Sequence, residues 1–212
     1  MNIYGFPTFN LSKVLITAEE LSLDYELHLL DASKGEHKSP EHLERHPLGK
    51  IPAIEYQGDY YIESNSICRL LAEENDNRLY GNSAKDHAKV NQWIDLFGFH
   101  LGRWMGVLYF EELIKSYIPN SQANPDNIAE ANEFLQQQLP VFNNALEQQN
   151  FLVNDQLSIA DIIAFAYCQT QHHTQLNFND YSNIDRWYHN MSERHAVKKA
   201  MAKLPNHISP FN

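Results

Sequence analysis

His46-Pro-Leu-Gly-Lys-Ile-Pro-Ala-Ile-Glu-Tyr-Gln-Gly-Asp-Tyr-Tyr-Ile-Glu-Ser-Asn-Ser-Ile-Cys68 is the stretch on which the fold turns. Pro52 stands where a strand over 53–56 begins. Proline has no N–H to give a sheet, so it belongs at a strand entrance or an edge. The backbone of Ile51 is thereby left for something other than a neighbouring strand. Gln57-Gly58-Asp59 reads as a tight turn into a second strand over 60–62. Ser64 then opens a helix that carries Ile67, Leu70 and Leu71, and a helix N-terminus turns its backbone N–H groups outward. With the Glu63 carboxylate beside it, the stretch suits a small extended peptide bearing an ammonium and carboxylates.

Working outward, residues 2–5 form a short strand and Pro7-Thr8-Phe9-Asn10 a polar turn. Leu11, Val14, Leu15, Ala18 and Leu21 share one helical face, with Thr8 or Asn10 as the cap. Residues 25–30 read as a strand. Residues 31–50 are a polar connection with one helical turn near 41–45. The order up to residue 75 is strand–helix–strand, connection, strand–strand–helix, a compact α/β unit of thioredoxin type. Residues 73–78 are free of apolar side chains and read as a linker. Beyond them the strand signal stops. Trp93, Phe97, Leu101, Trp104 and Leu108 step by three and four along one long helix. A second helix spans 127–149 and is expected to break near Pro140. An apolar segment over 158–171 and helices over 184–203 follow. The expected class is α/β plus all-α: a thioredoxin-like domain over 1–76 and an all-helical domain over 84–212.

Sixteen basic against 27 acidic side chains give a formal net charge of −11 over 212 residues. This balance argues against nucleic acid or an anionic membrane as partner, so an anionic ligand would need local lysines. Cys68 and Cys168 lie in apolar helical patterns and read as buried thiols. With no signal-like N-terminus and no run of membrane-span length, a cytoplasmic location is expected. His42 and His46 are four apart, but no third ligand accompanies them, and no metal is expected. Ser158-Ile-Ala-Asp161 reads as a capping box before an apolar helix, not as a nucleophile with its base.

Three motifs in this order resemble the cytosolic glutathione transferase family: His46-Pro-x-Gly-Lys-Ile-Pro-Ala53, Tyr61-Ile-Glu-Ser-x-Ser-Ile67 and Leu157-Ser-Ile-Ala-Asp-Ile162. Tyr181-Ser-Asn-Ile-Asp-Arg-Trp187 resembles the family's entry to its late helix. The resemblance covers essentially the whole chain. It implies that Pro52 is the family's cis-proline and that glutathione lies along the edge strand after it, paired with the Ile51 backbone. Ser64 and its helix N-terminus would take the γ-glutamyl carboxylate, and Glu63 would lie near the α-ammonium. Lys50 and the phi-like Gly35-Glu-His37-Lys38 segment would reach the glycyl carboxylate. The family is generally homodimeric, with glutathione as co-substrate.

Glutathione's thiol, with a reference pKa near 8.5, needs about 2.7 kcal/mol of thiolate preference to move down by about two units. One hydroxyl or amide donor supplies about 1.5–3 kcal/mol, and a helix N-terminus about 0.3–1 kcal/mol. No general base is required. Family members use tyrosine, serine or cysteine here. In this chain Tyr4 is displaced by one residue, and cysteine is absent from the region. Thr8 falls at the serine-type position. Pro7-Thr8-x-Asn10-x-x-Lys13-Val14 is similar to the nu-class pattern, in which both Thr and Asn serve the thiol, so the catalytic assignment is Thr8 with Asn10. Trp93, Phe97, His100, Arg103 and Trp104 are the expected contacts for a small hydrophobic electrophile. Two alternatives to conjugation stand: glutathione-dependent disulfide or peroxide reduction, and a non-catalytic partner-binding role. The reading predicts that Thr8→Val combined with Asn10→Ala abolishes most conjugating activity while glutathione affinity largely survives, measured by steady-state kinetics and titration.

Overall fold

The computed structural model describes residues 1–204. By packing, the chain divides into two units, one of residues 1–78 with the segment that begins at His195, the other Leu79–Arg194.

In the first unit, strands β1 (Asn2–Gly5), β2 (Glu26–Leu29), β3 (Ala53–Tyr56) and β4 (Asp59–Ile62) form one sheet in the order β2-β1-β3-β4. β1 runs parallel to β2 and antiparallel to β3, and β3 is antiparallel to β4. Ala53 therefore pairs with Tyr4 on one side and Ile62 on the other. This corrects the edge-strand expectation: β3 is interior, and the backbone left over belongs to Ile51, just before it. Gln57 and Gly58 make the hairpin turn, both at positive φ (54° and 92°), as two-residue turns between twisted strands require.

Helices α1 (Phe9–Glu20), α2 (Pro40–Arg45) and α3 (Ser64–Glu73) complete the α/β order. Ile3, Leu11, Leu15, Ile16, Ile54, Ile67 and Leu71 are all fully buried, each burial contributing about 1.5–3 kcal/mol. The last helix, α9 (His195–Met201), packs on α1. Glu19 of α1 is buried and accepts from Tyr25 Oη at 2.7 Å, Lys199 Nζ at 2.7 Å and Lys203 Nζ at 2.9 Å. The helix expected to close the 84–212 domain thus groups with the first unit, and the remainder of that domain beyond 204 lies outside the described residues.

The second unit contains α4 (Ala84–Phe99), α5 (Leu101–Glu112), α6 (Pro125–Ala145), α7 (Ile159–Cys168) and α8 (Ser182–Ser192). The single long helix expected through Trp93 and Leu108 is interrupted at His100, whose φ of −124° and ψ of −97° are not helical. Gly102 lets α5 approach closely: a Cβ there would lie 2.5 Å from Phe97 O and 2.7 Å from the Tyr167 ring. Conversely, α6 runs through Pro140 unbroken. Pro140 is exposed, so the lost N–H costs one solvent-facing bond, not a buried one. Phe97, Phe142, Phe165 and Trp187 interlock as the core of this unit. Asp161 fixes its centre: Oδ2 accepts from Ser158 N and Oγ, both at 3.1 Å, and Oδ1 from Leu152 N at 2.8 Å and Trp187 Nε1 at 3.2 Å. Ser158 is the cap expected, with its proton committed to Asp161.

The Lys199, Tyr25 and Lys203 contacts hold the Glu19 carboxyl at about 2, against its ordinary 4.5. A carboxylate depressed on folding stabilises above its ordinary pKa, and that contribution is lost as pH falls toward the folded value. Glu19→Gln should therefore cost about 1–2 kcal/mol at neutral pH. In denaturant titrations the deficit should shrink as pH drops from about 4.5 toward about 2.

Candidate functional site

Three segments of the first unit meet: the N-terminus of α1, the loop before β3, and the N-terminus of α3. Thr8 caps α1 in extended conformation, its Oγ1 accepting from Leu11 N at 3.3 Å. The cap uses an oxygen lone pair. The hydroxyl proton remains to be donated, with no acceptor for it found among the described residues. Asn10 is turned elsewhere. Its Oδ1 accepts from Lys13 Nζ at 2.8 Å and from Ser64 Oγ at 3.3 Å, so its side chain belongs to the α3 end of the site.

Ser64 is 8% exposed at the first position of α3. No side chain caps this helix, and Glu63 at its N-cap position is exposed with φ 66° and ψ 105°. That backbone region is sparsely populated by any residue with a Cβ and stores about 1–3 kcal/mol. The strained turn leaves the first N–H groups of α3 for an external acceptor.

The loop is anchored from below. The Ile51–Pro52 bond is cis, and no hydrogen bond to the Ile51 backbone is found among the described residues. The preceding carbonyl, Lys50 O, accepts from the fully buried His42 Nε2 at 2.8 Å; a carbonyl cannot donate, so Nε2 carries the proton. Gly49 has φ 55°, and a Cβ there would strike His37 O at 2.6 Å. Lys38 Nζ donates to Leu48 O at 2.8 Å, and His37 lies edge-on to Phe6. Lys50 is exposed. Burial, with the Lys38 charge next in weight, pushes the His37 imidazole down, and burial does the same to His46. At neutral pH the loop's positive charge is therefore carried by Lys38 and Lys50.

Asn10 and Ser64 are thus brought together at the start of α3, with Glu63 next to Ser64 in the chain. Thr8 stands two residues before Asn10 as the cap of α1, Ile51 just ahead of β3, and His37, Lys38 and Lys50 flank α2. The five expected electrophile contacts do not share a surface. Phe97 is fully buried against Phe142 and Tyr167, and Trp93 packs beside them. Helical periodicity alone could not separate that core face from an open one. His100 borders a cleft of about 130 Å³ with Leu96, Leu101, Gln138 and Val141. Arg103 and Trp104 instead line a groove of about 460 Å³ with Gly106, Val107, Phe110 and Glu130, among others. Trp104 is stacked on Phe134 at 4.4 Å, with the Arg103 guanidinium 4.7 Å over its ring.

Sequence reasoning missed Lys13 and the anchoring by His42. Periodicity gave no signal for the first, because Lys13 falls off the Leu11–Val14–Leu15–Ala18 stripe, on the side of α1 that carries Asn10 and Thr17. Among the described residues no group of three or more His, Cys, Asp or Glu side chains is arranged to hold a metal ion, and no helix is long and apolar enough to cross a membrane.

Two family models match this chain: the glutathione S-transferase N-terminal domain over residues 11–74 and the C-terminal domain over 108–195. Glutathione S-transferase 1 of Zea mays is 30% identical over 210 residues, covering 96% of this chain and 97% of that protein. Glutathione transferase F2 of Populus trichocarpa superposes with a TM-score of 0.88 at 28% identity, covering 95% and 97% of the two chains. Maize glutathione S-transferase I, solved in complex with an atrazine–glutathione conjugate, superposes at 0.85 with 28% identity, covering 95% and 96%. The chain belongs to the glutathione S-transferase family, with the thioredoxin-like and helical parts of that fold.

Glu63→Gly should relieve the strained turn. Against about 1–3 kcal/mol of strain stands about 0.4–1 kcal/mol of added unfolded-chain freedom, so thermal unfolding should shift upward.

Proposed function

We propose that this protein conjugates the thiolate of glutathione to small hydrophobic electrophiles. The observation that carries the reading is the Thr8 hydroxyl, capping α1 with its oxygen and keeping its proton to give, two residues before the Asn10 side chain that bonds Ser64 at the uncapped N-terminus of α3. The γ-glutamyl carboxylate docks on the N–H groups of α3 and on Ser64, with Glu63 beside the ammonium. The cysteinyl backbone pairs with Ile51, and the glycyl carboxylate is met by Lys38 and Lys50, with His37 as a neutral hydrogen-bonding neighbour. Thr8 donates to the sulfur. A hydrogen bond to a charged acceptor contributes about 1.5–3 kcal/mol, and the α1 dipole about 0.3–1 kcal/mol. Together these suffice to keep the thiol ionised near neutrality. Asn10 acts on the carboxylate side, through Ser64, and no longer shares the sulfur with Thr8. Among the expected electrophile contacts, Arg103 and Trp104 line an open groove and remain candidates, whereas Phe97 is committed to the core with Trp93 packed beside it. The reaction is a cytoplasmic detoxification, in keeping with two buried free thiols, Cys68 and Cys168.

We further propose a homodimer. Leu48 is 67% exposed at the tip of its loop, and Phe99 and Val141 are 71% and 56% exposed at and near the His100 cleft. A leucine knob from one copy and an apolar cleft on the other would remove all three from water. Leu48→Glu should convert the dimer into monomer in sedimentation-velocity runs; a wild-type chain that is already monomeric rejects this arrangement.

Thr8→Val should lower kcat/KM with an activated aryl halide by about 10²-fold, with the bound thiol titrating nearer its free value by thiolate absorbance. Thr8→Ser should retain most activity, since it keeps donor and cap. Wild-type rates in Thr8→Val would sink the assignment, and turnover with a disulfide but none with the aryl halide would favour reduction over conjugation.

A further inference from the structure

Lys13 is 1% exposed, and its ammonium sits where two helix ends converge. Nζ lies 2.8 Å from Asn10 Oδ1, 3.2 Å from Asn65 Oδ1 and 3.5 Å from Ser64 Oγ. Ser64 passes its own proton on to Asn10 Oδ1. One acceptor thus lies in the first turn of α1 and two in the first turn of α3. Both helix ends carry positive partial charge, which opposes a cation placed behind them. Burial opposes it as well. An anion arriving at the α3 end would reverse the balance, because a carboxylate on Ser64 would stand one hydrogen bond from the Lys13 donors.

We infer that Lys13 is a proton-linked positioning residue: a carboxylate that docks at the N-terminus of α3 draws a proton from solvent onto Lys13. The resulting ammonium satisfies Asn10 Oδ1, so the Ser64 hydroxyl turns from Asn10 to the carboxylate and, with Lys13 donating to its oxygen, becomes a stronger donor there. This rests on the glutathione reading above and adds a coupling to it. Burial lowers Lys13 to about 7, so both protonation states are present in the empty site near neutrality. The groups on α3 that bear on it are Glu63, whose carboxylate favours the ammonium, and Cys68, a thiol that burial pushes up to about 11 and keeps uncharged. Lys199 of α9 and Lys203 just beyond it are engaged with Glu19, further along α1.

S-Methylglutathione is the probe, because it keeps every carboxylate of glutathione and has no thiol to release a proton. Titration calorimetry at pH about 7.5, in two buffers of different ionisation enthalpy, should read uptake of roughly half to one proton per molecule bound. Affinity should fall as pH rises from about 6.5 to about 8.5, up to about tenfold per unit above the free-site value. Lys13→Arg, charged throughout this range, should bind without uptake and without that pH dependence. Lys13→Met should bind at least about tenfold more weakly, also without uptake. If Lys13→Met does not fold, the wild type and Lys13→Arg decide the question. Binding by the wild type with no proton exchange, or uptake that persists in Lys13→Arg, overturns the inference while leaving the glutathione site intact. A wild type that does not bind the probe overturns both.

Discussion

A buried ammonium must find acceptors or lose its charge, and that demand at Lys13 organises the first unit. The three oxygens around it come from two helices that are distant in sequence, so satisfying one cation brings the starts of α1 and α3 to the same place. Ser64 completes the joint by bonding Asn10 directly. Once the two helix ends are fixed together, the Thr8 hydroxyl and the first N–H groups of α3 have a defined separation. In the proposed reading, a bound peptide would meet a donor for its sulfur and donors for its carboxylate in a preset arrangement.

The rest of the site is held from beneath by contacts within the chain itself. His42 grips the Lys50 carbonyl, Gly49 leaves room for the His37 backbone, and Lys38 is tethered to Leu48 O. The turn at Glu63 accepts an unfavourable backbone so that α3 can begin without a side-chain cap. Recognition and activation are thereby divided along the chain. In the proposed function Thr8 serves activation, and the loop and α3 serve recognition. The helical unit is built on an unrelated principle, with interlocking aromatics around the Asp161 hub.

Strand and helix order, the place of Pro52 and a cap at Thr8 or Asn10 were legible because each rests on local chemistry: alternation, a missing N–H, a short polar side chain before a helix. That Ile51, Glu63 and Ser64 suit a small peptide was legible from their chemistry, but that the peptide is glutathione came only through a family resemblance. What escaped was settled by contacts far apart in sequence. Asn10 is a good cap residue by type, yet its side chain is drawn to Ser64, 54 positions away. Phe97 and Trp104 obey the same helical spacing, but one closes a core and the other rims a groove. Pro140 carried a break signal that exposure made harmless, whereas His100 broke a helix with no such signal, where glycine-mediated packing drew α5 onto its neighbours. β3 lies inside the sheet because both flanking strands find partners on it, a topological fact that no local pattern encodes.

The salt bridges between Glu19 and α9 have a consequence for the order in which the molecule can be made. The first unit is discontinuous, its sheet and α1 encoded before residue 79 and its closing helix only after residue 194. Domains made first during synthesis generally fold first, but this one leaves the ribosome with the α9-facing side of α1 uncovered and the Glu19 carboxylate waiting for its lysines. It must stay open while the whole helical unit is translated. The helical unit, continuous in sequence, can finish earlier. The half that would hold the ligand is begun first and completed last.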